Sequence, residues 1–262
     1  MKRLIYLLAL VLVLVSCDHI ADDDRLIYIK PAAVKRTVLI EDFTGQRCVN
    51  CPKATEVIHQ LEEQYPDGVI AVGIHSGPFA RSMTGTRYAL GTDEGDEYYS
   101  HWRLDHQPVG MVNRLRVSDY TEWTAIVHEQ VQLTAPLSIS VSAEIDNATH
   151  QLTASVAMMG TEGQVKGSLQ LWLVEDGVEA FQYLPDNTVD REYIHNHVLR
   201  CAINGTWGEP IALNEGEEKV VTHQLALSET WNAGNLRVVA FVYNDNGVLQ
   251  AAQDAASLIE TE

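Results

Sequence analysis

The chain has 262 residues, an apolar fraction of 46% and a formal charge of −18. That apolar content excludes whole-chain disorder, and the length admits two ordinary domains. A chain this acidic repels nucleic acid and anionic membrane surfaces, so nucleic acid is excluded as a partner.

Lys2 and Arg3 precede an unbroken apolar run over residues 4–15, too short to cross a bilayer but of signal-peptide length. It ends in Leu14-Val15-Ser16-Cys17, which resembles the lipobox of bacterial lipoproteins. The resemblance implies a leader of residues 1–16, cut before Cys17, and acylation of Cys17 as the lipid attachment site. Several acyl chains on one residue would give a stable membrane anchor. An ordinary signal peptide is the plainer alternative. Residues 17–25, with Asp18 and Asp22-Asp23-Asp24, read as an acidic tether. Export allows disulfides to persist. The four cysteines then divide into Cys17 for lipid, Cys48 with Cys51 as a pair, and Cys201 as a remainder.

Residues 26–29 predict a short first strand, closed by Lys30-Pro31, and residues 38–43 a second. Ala54, Val57, Ile58, Leu61 and Tyr65 then recur at three- and four-residue spacing, predicting a helix from about 48 to 65 that Pro66-Asp67-Gly68 stops. The Cys-x-x-Cys pair therefore falls where a strand hands over to a helix. Helix-end N–H groups and the macrodipole favour a thiolate at Cys48, and Arg47 adds a positive charge. Pro52 sits in the first turn, where a missing donor costs least. Residues 69–74 are almost continuously apolar, as a central parallel strand is, and complete a βαβ unit.

Residues 75–87 are loop-like, with Gly77-Pro78 and Gly85. Asp93, Glu94, Asp96 and Glu97 lack the alternation of a calcium loop and read as the acidic start of a helix through Tyr98, Tyr99 and Trp102. Pro108 heads a predicted strand over 108–114. Asp119 with Glu122 makes a capping-box-like start for a helix carrying Trp123, Ile126, Val127 and Val131. Ala135-Pro136 closes this first domain, residues 26–135.

Residues 136–262 change character. Stretches 137–143 and 152–156 alternate strictly, and further strands are predicted at 169–174, 220–227, 236–243 and 248–252. Asn244-Asp245-Asn246-Gly247 is a hairpin signal. Short strands with turn chemistry between them read as a β-sandwich of immunoglobulin-like size, without the Cys…Trp…Cys pattern of a true immunoglobulin domain.

The strand 38–43, Cys48 and Cys51 at the next helix, and Pro108 opening a later strand together resemble the thioredoxin superfamily. The resemblance implies a cis proline lying against the disulfide. It also implies that Asp42, six residues before Cys48, is the buried acid that handles the proton of the second thiol. Arg47 and the Val49-Asn50 pair depart from that family's pattern. Over its full length the chain resembles the twenty-eight-kilodalton outer-membrane protein family of lipoproteins. That likeness rests on Glu41-Asp42-Phe43-Thr44-Gly45, on Cys48-Val49-Asn50-Cys51-Pro52, on residues 108–114, and on Tyr193-Ile194-His195-Asn196-His197-Val198-Leu199. It implies an outer-membrane address, with the periplasmic or surface face undecided. The expected fold is thus α/β plus all-β: an N-terminal thioredoxin-like domain followed by a C-terminal immunoglobulin-like β-sandwich.

Two functions fit. In the first, Cys48, the more exposed thiol, attacks a disulfide of an exported protein and Cys51 resolves the mixed intermediate, with Asp42 and Pro108 completing the catalytic set. In the second, the pair is a fixed disulfide, the first domain is a scaffold, and the β-sandwich binds a surface protein or glycan. No cofactor is expected. Zinc would need a second ligand pair, and none exists at matching spacing. His195 and His197, two apart, could share a strand face and bind metal, but packing explains them as well. Cys201 reads as a small buried hydrophobe. Trp172, Trp207 and Trp231 fit either a binding face or a core.

Overall fold

Val38 to Thr44 is a strand whose seven residues are all buried, the mark of an element covered on both faces. The computed structural model describes residues 28–80 and 90–260. The leader, Cys17 and the whole tether lie outside them. Strand β1 is Val34–Lys35 and β2 is Val38–Thr44. The expected strand at 26–29 is absent from its described part, where Tyr28 and Ile29 are 60% and 83% exposed. Helix α1 spans Cys51–Gln64 and buries Cys51, Ala54, Ile58 and Leu61, the three- and four-residue spacing of one helix face. It begins later than its sequence signal, because residues 45–50 form two turns, held by Cys48 N–H on Gly45 O at 3.0 Å and Cys51 N–H on Cys48 O at 3.3 Å.

Strand β3 (Val69–His75) runs parallel to β2 from Val38↔Val69 to Thr44↔His75. Short α2 (Gly77–Ala80) and α3 (Asp93–His101) follow. Thr92 caps α3, and Asp93, Glu94 and Asp96 lie in its first turn, as expected. After β4 (Val109–Val112) and β5 (Val117–Ser118), Asp119 caps α4 (Tyr120–Gln130). Only half the capping box forms: the Glu122 carboxylate turns to Arg116, at 2.6 Å.

Strand β6 (Thr134–Ala135) precedes the long hairpin of β7 (Leu137–Asp146) and β8 (Gln151–Gly160). Next come β9 (Val165–Glu175), β10 (Val178–Tyr183), β11 (Val189–His195), β12 (Val198–Ala202), β13 (Glu209–Leu213) and β14 (Glu218–Ala226). The chain closes with β15 (Leu236–Asn244), β16 (Gly247–Ala255) and β17 (Ser257–Ile259). The turn at Asn244 to Gly247 joins β15 to β16, and Gly247 takes φ +97°, a value that favours glycine.

A nine-stranded sheet runs β16-β15-β9-β12-β3-β2-β4-β5, with β13 on β9. A four-stranded sheet, β14-β8-β7-β17, shares a core with it through Ile145, Leu152, Val156, Leu171 and Val238. The large sheet crosses the expected boundary at residue 135. Its seam is the parallel pairing of β12 with β3 at Val198↔Gly73, helped by Gly73 N–H donating to His197 O at 2.8 Å. A second core draws Leu39, Phe43, Ile70 and Ile74 from one side of that boundary and Trp172, Phe241 and Val248 from the other. Residues 31–262 accordingly form one compact unit. Shared strands and a shared apolar core leave neither half a complete interior. Among the described residues, no helix is long and apolar enough to cross a membrane.

Candidate functional site

Cys48 and Cys51 form a disulfide with Cα atoms 5.4 Å apart, Cys51 opening α1 and Pro52 following in its first turn. Gly45 lets the chain bend ahead of the pair. A Cβ there would stand 2.6 Å from the Phe79 carbonyl carbon, so the crossing segment requires glycine. Arg47 N–H donates to Phe79 O at 3.1 Å. The Gln107-Pro108 bond is cis, and β4 starts at the next residue, opposite Phe43. Gln107 Nε2 ties this corner to Thr44 O and Ser76 O, at 2.8 and 3.0 Å.

Cys48 was expected to be the exposed member of the pair. Both are buried, at 3% and 2% exposure, because a hairpin from the C-terminal half lies over them. Among the described residues, strands β10 and β11 pair only with each other. Gln182 Nε2 donates to Cys48 O at 2.9 Å, and Tyr183 N–H donates to Gln46 O at 2.8 Å. Gln46 Nε2 answers with a bond to Phe181 O at 3.2 Å. The Tyr193 side chain faces the same cavity as Thr55, one turn into α1.

Between hairpin and helix lies a cavity of about 30 Å³, lined among others by Asp42, Cys51, His75, Tyr193, His195 and His197. It has room for an ordered water or two. Asp42 Oδ1, His75 Nδ1 and His195 Nε2 are buried without a hydrogen-bond partner among the described residues. Burial raises the Asp42 carboxyl from 3.8 to about 7, against a smaller opposing pull from His197. Burial holds His75 well below 6.5, reinforced by His195 and Arg200. It lowers His195 to about 4, opposed by the backbone of Phe181 and Ala180. The two imidazoles meet edge to face at 5.2 Å. A carboxyl poised near neutrality beside a cysteine can take up and return a proton there.

Histidines 195 and 197 both line this cavity, but only His195 ends a strand. His197 follows it at φ +58°, its ring 3.3 Å from Glu62 Oε2 and 3.4 Å from Asp176 Oδ1. Cys201 is half-buried against the core between the two sheets, and burial pushes its thiol up to about 12, so it is a poor thiolate. Trp172 is fully buried, Trp207 packs beside the Trp172 core, and Trp231 packs on the other. They form no common face. The sequence reading missed Gln46, His75, Gln182 and Tyr193. A signal for the hairpin existed in Pro185-Asp186-Asn187: Asp186 Oδ1 accepts from Thr188 N–H at 2.9 Å and Asn187 takes φ +64°.

Fold and site together define a β-rich protein with a smaller α/β portion, built around a buried Cys-x-x-Cys disulfide. The family model described as outer membrane protein Omp28 matches residues 95–258. The chain belongs to this family of outer-membrane proteins. The match begins downstream of Cys48 and Cys51. Among solved structures, HBP35 of Porphyromonas gingivalis is similar in fold, with 15% identity and a TM-score of 0.69 over 88% of this chain and 80% of that one. A domain of the outer membrane lipoprotein Omp28 from Porphyromonas gingivalis is 25% identical over 48% of this chain and 92% of its own, at a TM-score of 0.36. The transforming growth factor-beta-induced protein ig-h3 of Sus scrofa is 28% identical over 119 residues, 40% of this chain. The chain spans 17% of that protein's length.

Proposed function

We propose that this outer-membrane protein is lipid-anchored through Cys17 and that its thioredoxin-like N-terminal half exchanges thiols and disulfides with exported proteins through Cys48 and Cys51. The supporting observation is Asp42. A buried carboxyl with an unpartnered oxygen costs stability, and a disulfide that never opens has no use for it. In the reduced protein, Cys48 thiolate attacks one sulfur of a partner disulfide, and the partner's other sulfur leaves as a thiolate. Asp42 carboxylate takes the Cys51 proton. Cys51 thiolate then attacks Cys48 Sγ, closing the Cys48–Cys51 bond and expelling the partner's second thiolate, which is protonated by solvent. The partner is reduced by two electrons and the protein oxidised by two. Cys51→Ser should trap a mixed disulfide with exported proteins, and Cys48→Ser should not. No trapped partner, together with no reduction of insulin by the reduced protein, would overturn the reading.

One observation favours the second function, a surface binding lipoprotein on a fixed disulfide: both cysteines are shielded in the closed structure. In that case the ligand, a protein or glycan, belongs to the β-rich C-terminal half, and Cys48→Ser with Cys51→Ser would leave binding intact.

A further inference from the structure

The hairpin of β10 and β11 stands apart from the two large sheets. It forms a two-stranded sheet of its own, and most of its residues are exposed or half-exposed. A two-stranded ribbon is marginal in isolation, so its place depends on what it touches. Its apolar support is small: Ala180, with Val178 beside it, meets Leu90 and Val198. The rest is hydrogen bonding to the disulfide loop, with Tyr193 facing Thr55 of α1 across the cavity. Segments with few apolar contacts open at a fraction of the global unfolding free energy.

Both ends of the hairpin pass through left-handed backbone. Gly177 enters it at φ +67°, and His197 leaves it at φ +58°. The ends are clasped to each other, Gly177 N–H on Asn196 Oδ1 at 2.9 Å and His197 N–H on Asp176 Oδ1 at 2.8 Å. The clasp is itself held: His197 faces Glu62 on α1, and Arg237 of β15 pairs with Asp176. The base is therefore fixed, while the tip over Cys48 depends, among the described residues, on bonds from Gln182 to Cys48 O and, longer, to Gly45 O, from Tyr183 N–H to Gln46 O and from Gln46 to Phe181 O. Two of these involve main-chain atoms of the hairpin, Tyr183 N–H and Phe181 O. Any extended polypeptide can offer the same pair of groups.

We propose that this hairpin is a hinged cover that occupies its own protein's polypeptide-binding edge at Gln46 and Cys48, and that an extended segment of an exported protein displaces it to reach the disulfide. This rests on the exchange reading for its purpose, but not for its geometry. In the closed state neither cysteine is open to attack. In the open state, Gln46 and the Cys48 carbonyl accept the incoming chain, and its cysteine is delivered to Cys48.

The test uses the full-length protein in detergent and follows reduction of the Cys48–Cys51 disulfide by dithiothreitol, with thiols counted after maleimide capture. Gln182→Ala removes the bond to Cys48 O and should speed reduction about tenfold, the weight of one hydrogen bond to a buried acceptor. Tyr193→Phe, which removes the hydroxyl that faces Thr55 across the cavity, should act in the same direction. Reduced, carboxymethylated insulin B chain, an unfolded polypeptide without free thiols, should accelerate reduction of the wild type saturably. Rates within twofold of wild type in both variants, or no response to the B chain, would overturn the proposal. Hydrogen exchange on the unaltered protein covers a variant that fails to fold. The Tyr183 amide should exchange far faster than the β2 amides, and equal protection would also overturn it. Failure to reduce insulin disulfides, with these changes intact, removes the exchange reading and leaves the cover standing.

Discussion

Arg114 Nη2 lies 2.7 Å from Glu41 Oε1, both side chains almost wholly shut away from water. The guanidinium also stacks among Tyr243, Phe241 and Trp172, at 4.3, 4.9 and 5.5 Å from their ring centroids. An ion from the N-terminal half is thus caged by aromatic rings of the C-terminal half. Glu41 and Asp42, adjacent in sequence, escape mutual repulsion by different means: Glu41 by pairing with Arg114, Asp42 by holding its proton below about pH 7.

Arg114→Met should destabilise the protein by about 3–5 kcal/mol, because it strands the Glu41 charge in the interior. The double variant Glu41→Leu with Arg114→Met should recover most of that loss. Urea unfolding of the three proteins checks this. A double variant as unstable as the single one would mean that ring stacking, and not charge, dominates.

Asp42 sets a pH dependence of known sign. Its folded value, about 7, lies above the ordinary 3.8, so between those limits the native state holds a proton that the unfolded state releases. Its contribution therefore makes stability fall as pH rises from about 4 to 7, and the whole penalty is present above 7. His195 acts oppositely. Lowered to about 4 from 6.5, it makes stability rise across that window, and His75 adds to it. Asp42→Asn should abolish the falling component and stabilise the protein at pH 8 by an amount on the order of a few kcal/mol. Melting temperatures at pH 5 and pH 8 would show it, and an unchanged difference between them would contradict it.

His197 favours the ionised form of Asp42. His197→Gln should raise the Asp42 carboxyl further, visible as a shift of its carboxyl stretch in an infrared titration, with Asp42→Asn as the blank. If exchange proceeds as proposed, the pH midpoint for resolving mixed disulfides should move upward with it.

Fragments 26–135 and 136–262 should each fail to unfold cooperatively. The first loses β12, the neighbour of β3, and the second loses the strands that cover Trp172 and Phe241. Calorimetry of each fragment decides. A sharp transition in either would restore the division read from composition.

Much of the N-terminal half was legible because its signals are local. The apolar stretch of β2, the spacing of Ala54, Ile58 and Leu61, and the proline ahead of β4 need no distant partner to be read. The alternation in β7 and β8 was equally plain. Hidden were the features that depend on long-range pairing. Strand β12 is five residues whose place beside β3 no periodicity records. Gln182 looks like an ordinary polar strand residue until its amide is found on the Cys48 carbonyl. The boundary at residue 135 was a real change of texture, from helices to alternating strands, but hydrogen bonding ignores it.

The bond between Gln182 and Cys48 spans 134 positions of the chain. Folding is slow when its contacts join such distant segments, because loop closure must precede any gain. In a chain that emerges from synthesis and export amino end first, β2, α1 and β3 are free long before β10 arrives. The loop that the Cys48–Cys51 bond closes is therefore complete before its cover arrives, and pairing of the two cysteines does not depend on the hairpin.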